Sequence, residues 1–218
     1  MRTLKGLGSI VIFTLFITQG TFAQGYLFYQ ETGTFTFGPR TGFTTSIINA
    51  KEDGFGNPKI RLSFMGGLFG RYQLSERWAV QLEGSYSPRG SGFSSSPQID
   101  LAYFDVPVML VYNVRYKMFK KPFTFDMMVG AQPSFLLTAE SGDADVSNSF
   151  ESTGFELVIG SGFPMGRFMF FGTTKIGLGD ISSTPVPTVG KLTNIVTEWT
   201  LGYRFGGANS AHTASTSE

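Results

Sequence analysis

The chain contains no cysteine and a single histidine among 218 residues, and only 15 % of its residues are charged. Without cysteine there is no disulfide framework, no thiolate metal ligand, no cysteine nucleophile and no lipid-modified cysteine. The lone histidine, His212, stands in a polar run near the end of the chain. Histidine-based triads and His/Cys zinc sites therefore lack their second member. Excess charge of one sign is also missing: the formal net charge is +1, which gives no draw toward nucleic acid. Finally, no apolar run approaches the roughly 20 residues that a spanning helix needs.

Glycine and aromatic residues fill the space these absences leave. There are 28 glycines, and aromatic residues make up 15 % of the chain. A soluble domain usually carries about a quarter charged residues. Few charges with many rings and glycines imply a β-rich protein with an unusual solvent on one side.

The beginning reads as an export signal. Arg2 and Lys5 form a basic start, residues 10–17 a short apolar core, and Thr21-Phe22-Ala23 a small-residue cleavage site before Gln24. Residues 1–23 are thus expected to be a signal peptide and 24–205 a single barrel domain. Residues 206–218, rich in Ser, Thr, Ala and Gly, are expected to be a disordered polar tail.

Between them the hydrophobicity has a period of two, the spacing of a strand with one apolar face. Eight such segments occur, at 34–47, 59–73, 77–88, 99–116, 123–138, 152–163, 167–180 and 192–205. The connections after the second, fourth and sixth are short, whereas those after the odd segments are longer. Short periplasmic turns and longer outer loops belong to an outer-membrane barrel. The fold class predicted is all-β: an eight-stranded antiparallel up-and-down transmembrane β-barrel in the bacterial outer membrane, with outer-membrane lipid around it.

Alternation also sorts the faces. Trp78, Val80, Leu82 and Tyr86 share one face of the third segment, opposite Gln81, Glu83 and Ser85. Ile195, Trp199, Leu201, Tyr203 and Phe205 share one face of the last, opposite Asn194, Glu198, Thr200 and Arg204. Near the short-turn end, Tyr72, Trp78, Tyr116, Phe123, Phe168, Tyr203 and Phe205 are placed to form a belt at the membrane–water boundary. Cross-strand ring packing is the alternative account of the same residues.

The polar face carries Arg40, Arg61, Arg71, Lys175 and Arg204 with Glu83, Asp105, Asp126, Glu156 and Glu198, five cations and five anions. A small barrel has an interior that side chains fill, and an unpaired buried charge is costly. These ten residues are expected to pair in a plugged lumen, the alternative being that some are solvated at the rims. Pro39, Pro107 and Pro133 fall inside the segments, where proline cannot donate to the ladder, and are expected to mark bulges or kinks.

The run at 66–86, GGLFGRYQLSERWAVQLEGSY, followed by YFDVPVMLVY at 103–112, resembles the PorT-type, porin-like outer-membrane β-barrel proteins of Bacteroidetes. The resemblance covers most of the chain from about Gly33 to Phe205, including TKIGLGDI at 174–181. It implies an eight-stranded outer-membrane barrel and, for some members, assistance to a secretion system. The polar tail after Phe205 departs from the usual ending, in which an aromatic closes the chain.

Other sites are weaker. Glu83, Asp105 and Glu156 offer carboxylates for acid–base work, but salt bridging to interior arginines is the simpler expectation. Glu140, Asp143, Asp145 and Glu151 lie in one outer loop without a basic residue, yet without the spacing of a calcium loop. No catalytic residue, metal site or cofactor is assigned. Three functions remain open. The first is a non-enzymatic barrel with a structural or protein-interaction role, acting through its loops or periplasmic turns. The second is a narrow channel for small solutes, and the third a secreted soluble barrel that binds an apolar ligand.

Overall fold

A computed structural model describes residues 31–50, 58–93, 99–118, 121–142, 144–181 and 192–207. The expected signal peptide, His212, Asp143 and the tail from residue 208 lie outside the described residues. Eight antiparallel strands close on themselves. They are β1 (Phe35–Ala50), β2 (Arg61–Gln73), β3 (Trp78–Phe93), β4 (Ile99–Asp105 and Val108–Met118), β5 (Lys121–Ser141), β6 (Thr153–Met165), β7 (Phe168–Gly177) and β8 (Leu192–Tyr203). Each pairs with the next, and β8 returns to β1 from Gly202 opposite Arg40 to Leu192 opposite Ala50. Closure removes the sheet edges that lipid could not satisfy.

Both ends of the described chain pair near the periplasmic rim. Gly33 donates to the Gln73 carbonyl at 2.8 Å, which ties the chain just before β1 into the barrel. Gly206, expected to begin the free tail, instead pairs with Thr36 of β1. The short turns are tight: Leu74 donates to the Trp78 carbonyl at 2.8 Å, and Gly166 turns β6 into β7 at φ 69°.

Three of the odd-numbered strands, β1, β3 and β5, overshoot the membrane. β5 has 21 residues and β1 and β3 have 16 each, where about 9–11 suffice to span. The excess lies at the outer end, where a two-residue strand, Pro58–Lys59, also pairs with Phe93 and Gly92 of β3. Within β5, Leu137 is the extra residue of a bulge: Ala102 faces Thr138, but Tyr103 faces Leu136. Side-chain parity flips there, which turns Ala139 inward.

Proline acts locally. Glu83 N donates to the Pro107 carbonyl and Val106 N to the Pro133 carbonyl, each at 3.0 Å, while each proline withholds the return bond. Two missing bonds split β4 at Val106–Pro107. Register is unchanged on either side, because Ser85 and Leu82 pair with Asp105 and Val108 on the same diagonal.

The two faces are assigned directly by burial. Phe43, Leu68, Leu82, Phe104, Val129, Ile159 and Leu201 are all exposed on the outside, whereas charged residues are buried inside. A soluble barrel would reverse this, so that alternative is set aside. The lumen face is less polar than expected: Phe69, Ala79, Met109, Val111, Met128, Val158, Met169 and Phe171 form one buried apolar cluster within it.

Candidate functional site: a buried ionic network

Inward parity on all eight strands delivers the side chains of the site. Arg40 comes from β1, Arg71 from β2, Glu83 and Arg89 from β3, Asp105 from β4, Asp126 from β5, Glu156 from β6, Lys175 from β7 and Glu198 from β8. Arg40 donates to Glu83 and, at 3.0 Å, to Glu198. Lys175 Nζ lies 2.5 Å from Glu198 Oε1 and 3.0 Å from Asp105 Oδ2. Arg89 then joins Asp105 to Glu156 through its two terminal nitrogens.

Amides extend the chain at both ends. Gln132 donates to Glu156 at 2.6 Å on one side. On the other, Gln81 donates to Glu83 at 2.5 Å and accepts from Arg71 Nε at 2.7 Å. Arg71 Nη1 reaches Asp126 at 2.6 Å, Asn113 donates to the same carboxylate at 2.6 Å, and Gln73 donates to Asn113 at 2.8 Å. The result is one continuous hydrogen-bonded path from Gln73 at the periplasmic end to Gln132.

Water has little access to the middle of this path. The side chains of Arg40, Arg89, Lys175, Asp105 and Glu198 are each 1 % exposed or less. In so dry a site each charge needs its partner, since desolvation alone costs several kcal/mol per ion. Rings complete the packing: Arg40 lies 5.3 Å above the Phe171 ring and Arg89 4.8 Å above Tyr103. Above Arg89, Leu101, Tyr103, Ala139 and Phe150 cluster at the outer mouth, with Val146 and Ile181 against them.

Two positions differ from expectation. Arg61 has the inward parity but stands at the outer rim, where it pairs with Asp100 and both side chains remain partly exposed, at 24 % and 42 %. It is not a member of the central network. Arg89, absent from the expected set, occupies its centre. The parity of Glu83, Ser85 and Ser87 points to it, but the expected segment stops one residue short, at Pro88. With Arg89 in place of Arg61, the buried lumen charges among the described residues are again five cations and five anions. Arg204 is the fifth cation, near the periplasmic turn, donating to the Gly166 carbonyl at 3.0 Å.

The aromatic positions lie on the outer face. Tyr72, Trp78, Tyr116, Phe123, Phe168 and Phe205 are exposed, and Tyr203 is half-buried. They also touch across strands: Trp78 is 4.7 Å from Tyr112, and Tyr203 is 5.3 Å from Phe168 and 4.9 Å from Phe205. In the outer loop, Glu140, Asp145 and Glu151 are exposed, and Asp145 accepts from the Ser147 amide at 2.9 Å. Among the described residues, no group of three or more His, Cys, Asp or Glu side chains is placed to hold a metal ion.

Comparison with known proteins adds a family. No protein of curated function matches the chain. Solved structures similar to it include Ail, the attachment invasion locus protein of Yersinia pestis, at 21 % identity and TM-score 0.45, covering 80 % of this chain and 99 % of that one. OprG of Pseudomonas aeruginosa matches at 16 % identity and TM-score 0.45, covering 83 % and 99 %. Neisserial surface protein A matches at 11 % identity and TM-score 0.48, covering 78 % and 97 %. Residues 22–183 match the family described as "Outer membrane protein beta-barrel domain". A closed barrel with an apolar outside, matched to that family over most of its length, makes this chain a member of the outer-membrane protein β-barrel domain family, resident in the bacterial outer membrane.

Proposed function

We propose that this protein is a non-enzymatic barrel with a filled lumen. In this reading it serves a structural or protein-interaction role through its outer loops or periplasmic turns. The observation that carries the reading is the dryness of the central charges, with Asp105 and Glu198 side chains at 0 % exposure where a conducting passage would run. A solute path would have to break several charge-assisted bonds at once, each stronger than a neutral hydrogen bond.

Planar-bilayer recording of the purified protein tests the closed lumen. No stepwise conductance above baseline is expected, and steady single-channel openings would contradict it. Cross-linking from the loops in intact cells tests the interaction half: a defined neighbour is expected, and repeated capture of none would count against it.

The narrower kinship with PorT-type proteins belongs to the same proposal. Its support is the pair of motifs at 66–86 and 103–112. Asp105 of the second motif takes bonds from both Arg89 and Lys175. Secretion-linked assembly is the interaction role that this kinship suggests.

A further inference from the structure

At the periplasmic mouth the hydrogen-bonded path ends in a polar cleft. A cleft of about 20 Å³ opens there, lined by Arg71, Arg115, Arg204, Asn113, Asp126 and Glu76 among others. That is room for one water-sized group. Three guanidinium groups surround it against two carboxylates. Asp126 is already engaged by Arg71 and Asn113, and Glu76 lies 3.6 Å from Arg115.

Arg71 forms the floor. Its side chain is 2 % exposed, with Nε on Gln81 and Nη1 on Asp126, while Nη2 has no hydrogen-bond partner. Such an orphaned donor on a buried guanidinium is costly unless something accepts from it. Arg204 adds to the field: Arg71 and Arg167 face it as like charges, with Asp126 opposed to them. The surrounding rim is basic too. Arg77 and Arg167 flank the short turns.

We propose that this cleft binds an oxyanion, specifically a phosphate group. One oxygen reaches Arg71 Nη2, and Arg115 and Arg204 grip the group at the rim. Guanidinium forks suit phosphate geometry, and the cleft admits a single oxygen while the remainder of the group stays in the open mouth. Free phosphate in the periplasm and a lipid headgroup of the inner leaflet present the same chemistry.

The full ¹⁵N-labelled chain, refolded in a phosphate-free maltoside detergent, tests this by the side-chain Nε–Hε resonances of its arginines. Titration with sodium phosphate, against sodium chloride of matched ionic strength, is expected to shift the Arg71 and Arg204 resonances saturably. The R115Q/R204Q variant should lose that response, and R115Q alone serves if the double variant fails to fold. Nanodiscs of phosphatidylglycerol without added phosphate separate the two sources. The same shifts appearing there, insensitive to further phosphate, would assign a headgroup. Absence of a shift in both settings, or an equal shift in the variant, would overturn the proposal.

Discussion

Replacing Arg89 by methionine is expected to lower the stability of the barrel by about 3–5 kcal/mol, the usual cost of removing one partner from a buried ion pair. Methionine keeps most of the volume, so the loss reports charge and not a cavity. Asp105 would still hold Lys175 at 3.0 Å, but Glu156 would keep only the Gln132 amide at 2.6 Å. The cation over the Tyr103 ring would go as well. The double variant R89M/E156Q removes the stranded carboxylate and should lie closer to the native protein than R89M does. Arg61 supplies the contrast: its rim pair with Asp100 is partly solvated, so R61Q should cost no more than about 1 kcal/mol. Urea midpoints in lipid vesicles measure all three. Equal losses for R89M and R89M/E156Q would refute the stranded-charge account.

The second large effect is expected at the seam. Gly38 and Gly42 face inward on β1, where β1 meets β8. A Cβ at Gly38 would collide with the Tyr203 carbonyl, and one at Gly42 would fall 2.7 Å from Thr200 Cα and closer still to the Trp199 carbonyl. These obstacles are backbone atoms of the partner strand, which cannot rotate away as a side chain can. G42V should therefore cost about 3 kcal/mol or more, at the upper end of what overpacking does. Against a net stability of roughly 5–15 kcal/mol, that is enough to deplete the closed form. Gly66 is the control, since a Cβ there meets nothing nearer than Thr41 Oγ1 at 4.0 Å. Gel mobility with and without boiling reads the result: G66A should keep the compact heat-shifting band and G42V should lose it. A normal band for G42V would show that the seam tolerates a wider strand separation.

How much of this was legible in the sequence follows from what a period of two can encode. Alternation such as Trp78, Val80 and Leu82 against Gln81 and Glu83 assigns faces within a strand, and loop lengths assign ends. Neither fixes height along the barrel axis. Arg61 and Arg71 have the same parity on β2, yet one is solvated at the rim and the other is buried, because height depends on the stagger between strands. The third expected segment stops at Pro88, one residue short of Arg89, whereas a proline that costs one ladder bond need not end a strand. At Pro107, where the sequence predicts a bulge or kink, β4 is split between Asp105 and Val108. The apolar cluster around Phe171 and Met109 was hidden for another reason. A filled lumen has a dry interior of its own, so large apolar residues suit both faces and blur the pattern. The parity flip at Leu137 depends on its partner strand and leaves no mark in β5 alone.

The central claim is that the lumen is dry and filled by side chains, and the lack of any native cysteine allows a clean test. Ser85, Ser134 and Thr173 are inward-facing and at most 3 % exposed. Each can be replaced singly by cysteine and treated in outer-membrane vesicles with a charged maleimide. The account predicts no labelling of the folded barrel at these positions and full labelling after boiling in detergent. Rapid labelling of the folded protein would mean a water-filled passage beside Arg40, Arg89 and Lys175, and would contradict it.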